Sequence, residues 1–140
     1  MTKEEKNLLL KYLCMALPYG VICYNSNTEV DFKLEDTADI DSGYPTFDYG
    51  CGDIESVSPY LRPMLSMTDE EKEEMHKLLS PEGTAIYGYD GISMPMNHYG
   101  EFVPYEFMNR IIQYLLKNHF DFMGLISKGL ASEAPNGMYN

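Results

Sequence analysis

The apolar positions of the chain fall first into a helical period and then into a strand period. Leu10, Leu13, Cys14 and Leu17 stand at i, i+3, i+4 and i+7, which marks one face of a helix. Thr2 and Glu5 form a capping box ahead of it, so the helix is predicted to begin at Lys3 and to end at Pro18. Beyond Pro18 the run Gly20-Val21-Ile22-Cys23-Tyr24 reads as a buried strand, and Asn25-Ser26-Asn27-Thr28 as a turn. Val30, Phe32 and Leu34 then alternate with Asp31 and Lys33, the pattern of a half-buried strand, so the two runs form a hairpin. Phe47 and Tyr49 alternate in the same way, and Ile54 and Val57 flank another short strand candidate before Pro59.

Between Ser58 and Glu71 the pattern turns from extended to helical. Pro59 and Pro63 fix their own φ and push Ser58 and Arg62 out of the helical region. Thr68 and Glu71 make a second capping box, and Asp69, Glu70 and Glu71 crowd the first turn, where the macrodipole favours negative charge. This helix is predicted over Asp69 to Leu79, ahead of Pro81. Met75, Leu78 and Leu79 give it a single docked edge. The extended piece before it reads as a connector between two subdomains. As a docking strip it would instead offer Tyr60, Leu61 and Met64 to a partner.

From Glu82 to Glu101 the glycines and prolines predict a loop, with Thr84 to Tyr87 as a strand candidate inside it. Met108, Ile111, Ile112 and Leu115 then share a helix face that Phe107, Tyr114 and Leu116 widen, which predicts the central core helix. Pro104 suits its first turn and Asn118 its end. A short amphipathic helix is expected over Phe122 to Leu130, and a frayed tail over Ala131 to Asn140. The fold class is therefore α+β. A small curved antiparallel sheet or barrel of short strands packs with three to four helices. In one 140-residue domain, 1–17 is a helix, 18–63 a β subdomain, 64–130 mainly helical with loop 82–101, and 131–140 the tail.

Charge narrows the function. Asp and Glu outnumber Lys and Arg by 22 to 10, for a net charge of −12. No basic patch exists to displace counterions, so neither direct nucleic-acid binding nor adsorption to an anionic membrane is expected. No long apolar run or secretory signal pattern stands out, which points to the cytoplasm. The three cysteines, Cys14, Cys23 and Cys51, include no CxxC pair, and Cys14 and Cys23 read as small core residues.

Candidate chemistry is sparse. The acidic run Glu35 to Gly43 invites a calcium loop, but with Asp39 and Asp41 as first ligands the required Gly and Glu are replaced by Tyr44 and Gly50. Met94-Pro95-Met96-Asn97-His98 offers soft ligands of the copper(I) kind, with nothing else to support them. Cys51, between two glycines, has no histidine near it in sequence, and His76 and His119 pair with no nucleophile in sequence. No cofactor and no metal are expected. The twelve tyrosines carry the remaining signal, because a tyrosine is apolar at one end and wet at the other. Tyr44, Tyr49, Tyr87, Tyr89 and Tyr99 lie in turn-like segments, and with Tyr60 they are the candidate binding residues.

Three anchors in fixed order carry a family resemblance. They are Leu17-Pro18-Tyr19-Gly20-Val21, the stretch Asp53 to Met64 leading through Ser66-Met67-Thr68, and the stretch Tyr114 to Ala131 closing with Glu133 to Tyr139. In these the chain resembles a family of small proteins of gut Bacteroidales genomes and their phages. The resemblance implies a bacterial, phage or prophage origin and brings no catalytic or ligand residues. The expected function is a non-enzymatic acidic module that binds another protein, a basic one. Two alternatives stand beside it. One is a nucleic-acid-mimicking inhibitor of a host nuclease or defence protein. The other is a small-ligand binder or enzyme with a site under loop 82–101.

Overall fold

The computed structural model describes residues 1–34, 46–47, 50–51, 54–79, 85–89, 92–96 and 105–139. In chain order these form α1 (Lys3–Ala16), β1 (Ile22–Asn25), β2 (Val30–Lys33), β3 (Thr46–Phe47), β4 (Gly50–Cys51), β5 (Val57–Leu61), α2 (Asp69–Leu79), β6 (Ala85–Tyr89), β7 (Ile92–Met96), α3 (Tyr105–Lys117) and β8 (Ser132–Glu133). The fold is α+β.

The α1 helix opens on its capping box. Thr2 Oγ1 accepts the Glu5 amide at 3.1 Å, and Glu5 Oε2 accepts the Thr2 amide at 2.8 Å. Its buried stripe is Leu9, Tyr12, Leu13 and Ala16. That is one step round from the expected face, of which only Leu13 is buried. The run Leu8-Leu9-Leu10 fits either phase, and Tyr12 decides it: the ring fills the core while the hydroxyl reaches the Phe120 carbonyl at 3.4 Å. A 3₁₀ turn over Leu17–Tyr19 then delivers the chain to Gly20 at φ 67°, where a Cβ would sit 2.6 Å from Lys33 Cε.

Strands β1 and β2 form the expected hairpin, with Cys23 opposite Phe32. Asn25 Oδ1 holds its turn by accepting the Asn27 amide at 2.9 Å. The sheet runs β2-β1-β5-β8, open rather than closed, and β8 lies parallel to β5. The expectation of an antiparallel sheet or barrel is corrected here. The fourth strand returns from the far end of the chain after the long crossover that parallel pairing requires.

The first part of the proline-pinned stretch is not a connector, for residues 57–61 are β5, between β1 and β8. Val57, Pro59 and Leu61 face the core and are buried. Pro59 is tolerated inside the sheet because of its parity. The Leu61 carbonyl accepts the Ala134 amide at 2.8 Å, and alternate residues share a side, so the missing donor of Pro59 is turned away from the β1 ladder. Strands β6 and β7 pair as a hairpin with Tyr87 opposite Met94, so the middle of the stretch expected as a loop is paired strand.

The α2 helix has its predicted bounds, and Thr68 and Glu71 cap it reciprocally at 3.2 and 3.1 Å. Met75 joins Met67, Ile111, Leu115 and Phe120 in a cluster between α2 and α3. The main core lies under α1 and the inner face of the sheet, reaching Leu116, Leu125 and Leu130. The α3 helix contributes to both clusters, through Ile112 and Leu116 to the main core and Ile111 and Leu115 to the other, while Asn109, Arg110, Gln113 and Lys117 leave one side of it exposed.

At the end of α3 the His119 amide bonds Leu116 O at 3.1 Å, the Phe120 amide bonds Leu115 O at 2.9 Å, and His119 takes φ 61°. This is a Schellman end with histidine in the left-handed position. The helix expected over Phe122 to Leu130 is instead a series of turns around Asp121. Its carboxylate accepts the Leu125 amide at 2.7 Å and the Ile126 amide at 2.9 Å. Gly124 and Gly129, at φ 72° and 73°, break the helical path that the apolar spacing suggested. The tail is not frayed: β8 fastens it to β5, and Tyr139 is tied into the sheet.

Candidate functional site

Of the six candidate tyrosines, the described side chains include that of Tyr60 alone. Tyr44, Tyr49 and Tyr99 lie outside the described residues, and Tyr87 and Tyr89 fall on β6. Tyr60 is on the outer face of the four-stranded sheet, where alternation also places Ile22, Tyr24, Asp31, Lys33 and Ser58. None of these belongs to either core cluster. Tyr60 reaches across β1 to donate to Asp31 Oδ1 at 2.9 Å, passing Tyr24. Partial burial, then the Asp31 bond, raise its hydroxyl pKa. Tyr24, which sequence reasoning did not single out, is thus Tyr60's companion on this face.

A second feature lies where β5 ends. An open cleft of about 550 Å³ is walled by Arg62, the start of α2 at Thr68 and Glu71, Asn118 at the end of α3, and the strap of residues 133–139. Arg62 is its fixed point. Its amide bonds the His119 carbonyl at 2.8 Å, and its own carbonyl accepts the Asp121 amide at 2.9 Å. Its guanidinium donates twice to Glu71, at 2.7 and 2.6 Å, and lies 4.2 Å from the centre of the Phe120 ring. The Arg62 bonds hold the Glu71 carboxyl below its ordinary range, and Glu71 in turn raises Arg62. One carboxylate therefore serves both the α2 cap and the ion pair.

Behind the cleft, Tyr139 and His119 stack with ring centroids 3.7 Å apart at 19°. His119 is 8% exposed, and its Nδ1 has no partner among the described residues. Burial, then Arg62, hold its pKa down to about 4. The Tyr139 hydroxyl accepts the Ile22 amide at 3.0 Å and donates to the Tyr60 carbonyl at 2.7 Å. Tyr24 faces Ser58 in the β1–β5 register, so Ile22 and Tyr60 are the next hydrogen-bonding pair. The hydroxyl stands in the place of that rung.

Sequence reasoning missed Arg62, His119 and Tyr139. The one local signal was a helix end at Asn118-His119 with no glycine to take the left-handed position. The rest depends on a strap that returns from 77 residues beyond Arg62, counting to Tyr139.

Chemically the cleft offers hydrogen-bond donors and acceptors around one matched ion pair. Among the described residues no group of three or more His, Cys, Asp or Glu is placed to hold a metal. The acidic run Glu35 to Gly43 and His98 lie outside those residues, while Met94 and Met96 fall on β7 and Cys51 on β4. No described helix is long and apolar enough to cross a membrane. Comparison with protein-family models, with curated proteins and with solved structures finds no match.

Proposed function

We propose that this chain is a non-catalytic, cytoplasmic protein-binding module of phage or mobile-element origin, and that its outer sheet face docks a basic partner. The observation that carries the reading is the Tyr24–Tyr60–Asp31 group on a face whose described residues join neither core cluster. Two large rings beside the Asp31 carboxylate make an anchor of the kind that dominates interface energetics. The net charge of −12 supplies long-range attraction for a basic surface and raises its association rate.

The test is affinity capture from Bacteroidales lysate, with the natural chain and a Tyr24→Ser/Tyr60→Ser variant as baits at low and high salt. The expected result is one dominant partner, weakened by salt and lost with the double variant. Capture that is indifferent to both tyrosines, or no partner at either salt, would overturn the reading.

A further inference from the structure

The strap is held at few points. The Ala134 amide bonds the Leu61 carbonyl, and Tyr139 supplies its hydroxyl to β1 and β5 and its ring to His119. Between these fastenings Pro135, Asn136 and Gly137 are exposed. The charged group facing His119 is the Arg62 guanidinium, at the end of β5. Glu71 on α2 is engaged with Arg62, and the strap presents the neutral Tyr139 ring. A proton added to His119 would therefore sit in a desolvated place beside an existing cation, with Nδ1 lacking an acceptor among the described residues.

We propose that residues 134–139 form a proton-released latch over the cleft: protonation of His119 expels its ring from beneath Tyr139 and frees the strap. Release opens the cleft toward Arg62 and leaves the Ile22 amide and the Tyr60 carbonyl without their bridging hydroxyl. The latch stands apart from the protein-binding reading and needs no partner. Its sign follows from linkage. A histidine whose pKa is about 4 when latched and 6.5 when released holds the strap fully above pH 6.5 and loses it as the pH falls toward 4. Between pH 7.5 and pH 5 the opening equilibrium should rise roughly 30-fold, from those two values.

Residue-resolved amide exchange on the full chain at pH 7.5, 6 and 5, expressed as protection factors, tests this. Ile22 and Ala134 amides report the strap, and the amides of Leu13 and Ala16 report the core. The expected result is a roughly 30-fold loss of protection at Ile22 and Ala134 by pH 5, with α1 unchanged. His119→Asn, whose side chain tolerates the left-handed backbone, should remove that pH response. Tyr139→Phe, which keeps the ring, should lose Ile22 protection at every pH yet retain the response at Ala134. The proposal is overturned if both reporters stay protected at pH 5, if they open only together with α1, or if the response survives in His119→Asn.

Discussion

Tyr139 acts as a piece of backbone supplied by a side chain. Its hydroxyl satisfies the Ile22 amide and the Tyr60 carbonyl at once, bridging β1 and β5 at the last pair of their ladder. Tyr139→Phe keeps the stack on His119 but strands that amide, so it should destabilise the protein by about 1–3 kcal/mol in urea titration. A loss near zero would mean that water replaces the hydroxyl. Asp121 has a comparable duty in the turns after α3, where its buried carboxylate accepts two amides. Asp121→Ala should cost about 2–3 kcal/mol, and Asp121→Asn, which keeps one acceptor, should recover part of it. Neither residue announces itself in the sequence. A tyrosine near the end of a chain and an aspartate after a helix have many ordinary uses, and only the fold selects these.

Elements written by local chemistry were legible, and elements written by distant pairing were not. Both capping boxes, the bounds of α2 and the β1–β2 hairpin follow from residues close together in the chain, none of the hairpin pairs more than 11 positions apart. The phase of α1 was misread because three consecutive leucines leave the stripe ambiguous until Tyr12 is known to be buried. β8 was invisible, since two residues have no period and its partner lies some 70 positions earlier. The turns after Asp121 imitated a helix because Phe122, Leu125, Ile126 and Leu130 are helically spaced. At the start of α2 the local and the distant meet in Glu71. Glu71→Gln should weaken both the cap and the hold on Arg62, for a loss of about 2 kcal/mol by thermal or chemical denaturation. Because the folded Glu71 carboxyl titrates below its ordinary 4.5, its contribution is complete above that pH and is lost as the pH falls through the lower folded value. The variant should therefore flatten the acid limb of the stability curve below pH 4.5 and leave the limb above it unchanged.

At the scale of the whole molecule, the two described core clusters contain no charged residue, and the chain carries more than twice as many acidic as basic groups. The described ion pairs are few: Arg62–Glu71 is partly shielded, while Lys6–Glu55 and Lys72–Asp69 are exposed and contribute little. Self-repulsion is thus the larger long-range electrostatic effect, and it opposes the compact state. Salt separates the two contributions. Raising ionic strength from 0.01 to 0.15 M shortens the screening length from about 30 to about 8 Å, which removes repulsion between distant carboxylates but barely touches a contact at 2.6 Å. At pH 7.5 the urea midpoint should therefore rise with added sodium chloride. A midpoint that falls would show that attractive pairs, not repulsion, dominate the surface. Between pH 6.5 and pH 5 the buried His119 resists its proton, so the midpoint should fall with acid at either salt concentration. In His119→Asn that fall should be absent while the rise with salt remains, because the first belongs to one buried ring and the second to the charge of the whole chain.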